Sequence, residues 1–134
     1  MAHQFSVTAR NARLDSIETT ISTAPLLKIF TGTKPANCAA AETGTKLAEL
    51  VLPSDWLAAA ASGAKAKSGT WSVAAIATGA AGHYRITDSA GTTCHIQGSV
   101  TATGGGGDME VDNTSVASGQ TVTVSTYTLT DGNA

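Results

Sequence analysis

His83-Tyr-Arg-Ile-Thr-Asp88, then Ser89-Ala-Gly91, then Thr92-Thr-Cys-His-Ile-Gln-Gly-Ser-Val100 is the stretch on which the fold turns. Two β-prone runs flank a short connection that contains glycine, the pattern of a β-hairpin. Tyr84 and Ile86 share one face of the first run. Cys94, Ile96 and Val100 share one face of the second, as strands do when a single side is buried. Cys94 is therefore expected in the core as a small hydrophobe. A nucleophilic role would need an adjacent base, and His95 points to the opposite face.

Outward from the hairpin, similar short runs recur at Leu26–Thr31, Lys46–Leu52, Thr70–Ala77, Met109–Asp112 and Gln120–Thr130, separated by turn-forming clusters. In the last run Val122 and Val124 alternate out of phase with Tyr127 and Leu129. Either a bulge near Ser125-Thr126 restores one apolar face, or the strand is central and buried on both sides. Before the strands, Ala9, Ala12, Leu14, Ile17 and Ile21 recur at three- and four-residue intervals, which predicts an amphipathic helix over about 8–21, capped by Ser6 or Thr8 and stopped by Pro25. Gly32–Thr45 reads mainly as a loop. Pro53–Gly69 reads as a long connection with a short helix through Ala61 begun by Ser54 or Asp55.

The fold class that follows is mainly β: a single domain over 1–134, a β-sandwich with a jelly roll among its forms, and one N-terminal α-helix. Only 13% of the 134 residues are charged and the formal net charge is −2, while 42% are hydrophobic. Disorder is disfavoured by that balance, and so weakly charged a surface suits a chain packed against others. Eight scattered Lys and Arg build no basic stripe, so neither nucleic acid nor an anionic membrane is expected as a partner. No run approaches the roughly 20 apolar residues of a spanning helix, and Met1-Ala-His-Gln-Phe5 lacks the features of a signal peptide. Synthesis in the cytoplasm is expected, with Cys38 and Cys94 both reduced.

Candidate chemistry is sparse. Gly104-Gly-Gly-Gly107 suggests an anion-cradling loop, but no Lys-Ser/Thr and no helix pattern follow it, so a flexible turn is the better reading. Asp108, Glu110 and Asp112 alternate along one face and match no calcium loop; a charge-protected edge strand accounts for them. His3, His83 and His95 assemble into no metal site without further assumptions. No catalytic residue, metal ligand or cofactor is expected. In a chain only 4% aromatic, Trp71 reads as core. Trp56, with Leu57 beside it, reads either as a lid over that core or as the candidate intersubunit contact.

Four stretches carry a resemblance: Thr8-Ala-Arg-Asn-Ala12, Leu27-Lys-Ile-Phe-Thr-Gly32, Gly98-Ser-Val-Thr-Ala-Thr-Gly-Gly-Gly-Gly-Asp108 and Asn113-Thr-Ser-Val-Ala-Ser-Gly-Gln-Thr-Val-Thr-Val124. Across essentially the whole chain, the sequence resembles small structural proteins of tailed-bacteriophage and prophage virions. The resemblance transfers no catalytic or binding residue. It implies a non-enzymatic virion component, first a capsid decoration or cement protein that binds the major capsid protein shell, and next a tail, neck or baseplate protein. A dimer or trimer on the capsid surface is the expected form. The competing class is a glycan-active or receptor-binding virion module, and the shortage of aromatics for stacking sugars weighs against its glycan-active form.

Overall fold

The computed structural model describes residues 3–132. The chain is mainly β with one helix, in the order α1 (Val7–Ile21), β1 (Leu26–Thr31), β2 (Lys46–Val51), β3 (Ala64–Ala66), β4 (Ser72–Ala74), β5 (Gly79–Thr87), β6 (Cys94–Ala102), β7 (Met109–Val111), β8 (Ser115–Val116) and β9 (Thr121–Thr130). The strands form one sheet, ordered β2-β1-β5-β6-β7-β9-β3, with β4 also paired to β9 and β8 to β5. All pairs are antiparallel except β6 with β7. The sheet curls into a half-barrel, which brings the Ile76 amide, just past β4, to donate to Leu47 O of β2 at 2.8 Å. Curling lets one sheet bury its own concave face.

That face holds the core. Trp56, Trp71, Tyr127 and Tyr84, in that order, form a chain of rings with successive centroids 6.2, 5.4 and 5.5 Å apart. Leu27, Leu47, Ile86, Met109 and Val111 pack with them, fully buried. The bulge expected in the last strand is present: Glu110 pairs with Thr126 but Val111 with Val124, so Ser125 is the extra residue. It brings Val122, Val124 and Tyr127 together on the buried side, which excludes a strand buried on both faces.

The expected hairpin is β5–β6, with an irregularity that inverts one expectation. Ile86 pairs with Ile96, but Thr87 pairs with Cys94, which leaves His95 as an extra residue. One inserted residue moves what precedes it to the other side of the sheet. Cys94 thus joins Thr87 and Arg85 on the outer face rather than Tyr84 and Ile86 in the core.

The helix begins at Ser6, whose Oγ accepts from the Ala9 amide at 3.2 Å, and ends at Ser22 in the left-handed region at φ 72. Leu14 and Ile21 are buried and Ile17 partly so, whereas Ala12 is exposed. Polar side chains hold the helix alongside its narrow apolar stripe, and three of them reach the 57–63 segment. Asn11 accepts from the Gly63 amide at 2.9 Å, Asp15 from Ala60 at 3.0 Å and Glu18 from Leu57 at 3.3 Å. Lys65, 2% exposed, lies between Asp15 at 2.7 Å and Glu18 at 3.0 Å. Those bonds replace the short helix expected after Ser54: the segment runs irregularly, with bridges from Leu57 to Lys67 and Ala61 to Ala64 and with β3 inside it. Helical amides there would turn to their own carbonyls; here α1 carboxylates and the Asn11 amide oxygen take three of them.

Candidate functional site

The glycine run and the acidic alternation that follows it form one structure. Gly104 and Gly106 adopt φ +85 and +78, the left-handed region open to glycine, and both amides donate to the Glu110 carboxylate at 3.1 Å. The loop thus cradles an anion supplied by its own chain. Asp108 accepts from the Ser99 amide at 2.8 Å and from its hydroxyl at 2.9 Å. Asp112 accepts from the Asn113 and Thr123 amides, each at 3.0 Å. Each carboxylate fastens a turn or a neighbouring strand, and among the described residues no three His, Cys, Asp or Glu side chains gather as metal ligands.

Trp56 and Leu57 are corrected. They are 0% and 1% exposed, and the Trp56 Nε1–H donates to Ser22 O at 3.3 Å. Of the two expectations for Trp56, the lid over its own core is the one observed; a side chain with no free surface cannot anchor a neighbour. Trp71 is buried as expected, its Nε1–H donating to Ser68 O at 3.0 Å.

The cysteines are corrected as well. Cys38 and Cys94 are joined by a disulfide, Cα to Cα 5.2 Å across 56 residues of sequence. The bulge at His95 turns Cys94 outward, where the 32–45 loop passes, so the pairing was hidden from any argument made on compartment. Other bonds press the same loop onto the sheet. Gln97 Nε2–H donates to Pro35 O at 2.7 Å, and Arg85 Nη2–H donates to Asn37 O at 3.0 Å and Ala40 O at 2.8 Å. Lys28 Nζ pairs with Glu42 at 2.6 Å and donates to Gly91 O at 2.9 Å. Beneath the loop lies a pocket of about 300 Å³ lined by Lys28, Arg85, Thr87, Glu42 and the disulfide. Sequence reading passed over Lys28 and Arg85. Their signal was a cation in the middle of each of two β-prone runs, in a chain with few charges.

His83 lies farther along the same outer face, 0% exposed and stacked on Phe30 at 5.1 Å; its Nδ1–H donates to Gly32 O at 2.9 Å. His95 instead borders a groove with Ile17 and Ile21 of α1, and His3 is exposed. The three histidines do not meet.

One more feature is a slot in the sheet. β7 pairs only with Val100–Ala102 of β6 and with Val124, Thr126 and Tyr127 of β9. Below it, residues 94–98 of β6 pair with β5 alone and residues 128–130 of β9 with β3 alone. Between these edges opens a cleft of about 260 Å³ lined by Ile96, Gln97, Asp108, Thr128, Leu129 and the two tyrosines. Tyr84 donates to the Tyr127 hydroxyl oxygen at 3.3 Å. Burial pushes the Tyr84 phenol up to about 12, against the opposing pull of that bond, and burial likewise raises Tyr127. Gly98 is required beside the slot: a Cβ there would come within 2.8 Å of Asp108 and of the Tyr84 ring.

No family model, curated protein or solved structure matches this chain.

Proposed function

We propose that this chain is a structural protein of a tailed-phage virion, in the first instance a decoration or cement protein that binds the major capsid protein shell. The resemblance of Gly98–Asp108 and Asn113–Val124 to such proteins motivates the class. The observation that carries the reading is the slot between β6 and β9, where two strand edges face each other unpaired.

An unpaired edge is a template for another chain's backbone, and proteins commonly guard such edges with charge or proline. Here residues 94–98 and 128–130 contain neither. An extended segment of the shell protein entering the slot pairs its backbone with these edges and places a side chain against Ile96 and Leu129, the strand-addition mode of recognition. The carboxylate-fastened turns around Glu110 and Asp112 suit that role, because a rigid receptor loses little entropy on docking.

The test is co-sedimentation with empty shells of the phage whose genome carries the gene, comparing the native chain with Thr128→Lys. Thr128 is exposed on β9, so the lysine guards the edge without entering the core. We expect saturable binding by the native chain at a fixed ratio to the major capsid protein, weakened by roughly tenfold or more in the variant, about 1.4 kcal/mol. Equal binding by both chains removes the slot from the contact, and no binding by either overturns the cement reading.

A further inference from the structure

We infer that the pocket beneath the disulfide-fastened loop is a binding site for a singly charged carboxylate. Two of its lining residues, Lys28 and Arg85, are the middle of a row on the outer face of four adjacent strands, Glu49, Lys28, Arg85 and Gln97, paired in register across β2, β1, β5 and β6. Lys28 and Arg85 are thus direct cross-strand neighbours, an arrangement that places like charges about 5 Å apart at Cβ and is unfavourable unless an anion offsets it. Both are buried, Lys28 7% and Arg85 3% exposed.

Only part of that charge is answered. Glu42 pairs with Lys28, while Glu49, next in the row, turns to Lys46. Among the described residues Arg85 has no carboxylate partner. Its Nε–H and Nη2–H groups donate to Gln97 Oε1, Asn37 O and Ala40 O, all neutral acceptors, and its Nη1 has no hydrogen-bond partner among the described residues. With Glu42 counted, the site holds two cations and one anion, one positive charge in surplus, and it opens on a pocket of about 300 Å³.

A buried guanidinium short of an anion is costly. A carboxylate supplies one negative charge and two acceptor oxygens, matching the surplus in amount and the guanidinium in planar geometry. A doubly charged phosphate would overshoot it and meet Glu42. The carboxylate can come from a free small acid or from an acidic side chain of a docked protein; the chemistry recognised is the same.

The experiment titrates the intact, oxidised chain with acetate and, separately, with glutamate blocked at its amino and α-carboxyl groups. It follows the Arg85 Nε–H and the amides of Cys38–Glu42, Thr92 and Cys94 by NMR at constant ionic strength set with chloride. Saturable shifts confined to these groups are expected. Acetate and the blocked glutamate binding alike points to a free acid as the source, and a preference for the blocked glutamate points to a protein side chain.

Because Arg85→Gln can unfold the outer layer, the decisive variant is Glu42→Gln, at a more accessible side chain. It raises the surplus charge by one and should tighten acetate roughly five- to tenfold. The inference is overturned if neither ligand gives saturable shifts, if Glu42→Gln leaves affinity unchanged, or if chloride competes as well as acetate at equal concentration.

Discussion

β5 is buried on both faces, and the two faces use opposite chemistry. Inward, Tyr84 and Ile86 meet Tyr127 and a continuous aromatic and aliphatic core. Outward, His83, Arg85 and Thr87 are as deeply buried, yet what covers them is a loop held by carbonyls, one ion pair and a disulfide. Apolar burial is non-directional and scales with area, so the inner layer tolerates adjustment among similar side chains. Polar burial is conditional on each partner, so the outer layer is held by a few specific bonds and loosens when one is lost. The inner layer supplies the bulk of the fold's stability, and the outer layer fixes the shape of the pocket over Lys28 and Arg85.

The sharpest way to break the inner layer is Trp56→Ala. The ring is fully buried beside Trp71, and truncating such a side chain costs about 3–5 kcal/mol through lost transfer energy and a residual cavity. Against the roughly 5–15 kcal/mol of a typical domain that is a large fraction. Urea unfolding should show a midpoint lowered throughout the chain, and a loss below about 1 kcal/mol would mean that the Trp56 site collapses around the gap.

Replacing both Cys38 and Cys94 by serine tests the outer layer. Closing a loop across 56 residues constrains the unfolded chain, and its removal should cost about 2–4 kcal/mol. The structural consequence should stay local. Hydrogen exchange is expected to quicken for residues 33–44 while the near-ultraviolet signature of the Trp56-Trp71-Tyr127 cluster is kept. Loss of that signature as well would show that the two layers are one cooperative unit.

The same contrast accounts for what could be read in advance. β-prone composition between turn clusters located the strands at Leu26–Thr31 and Lys46–Leu52 closely, and the phase break between Val124 and Tyr127 located the bulge near Ser125, because both signals are local. Nothing comparable marked the extra residue at His95. Alternation alone put Cys94 inside, and with it went any view of the Cys38–Cys94 pairing. The helix after Ser54 was expected from local capping and alanine content. It lost to Asp15, Glu18 and Asn11, which lie about 40–50 residues away in sequence and accept those amides. Trp56 was balanced between lid and anchor for the same reason: a lone aromatic in an irregular segment carries no periodicity to say which way it faces. Lys28 and Arg85 were visible as residues but not as neighbours, since strand register is set by the whole sheet.

The smallest expected effect joins the core to the slot. Tyr84 and Tyr127 share a hydrogen bond at the inner end of the cleft, and Tyr84→Phe removes one hydroxyl while keeping the ring, a change worth about 0.5–1.5 kcal/mol at neutral pH. Alkaline titration gives the sharper reading. Burial raises the Tyr84 phenol from 10.0 to about 12, so the folded chain keeps a proton that the unfolded chain gives up. Its contribution to stability is whole below pH 10 and is lost as the pH rises from there through 12. Lys65, held above its ordinary value of 10.5 by Asp15 and Glu18 although burial pulls it down, and Tyr127, raised by burial, add losses of the same sign. The native chain should therefore lose stability steeply above pH 10, and Tyr84→Phe less steeply, the difference between the two curves reporting the Tyr84 hydroxyl together with its effect on Tyr127. Parallel curves would mean that the Tyr84 hydroxyl already meets solvent through the slot, and the cleft between β6 and β9 would then be a wetter and more open receptor than the burial of its two tyrosines implies.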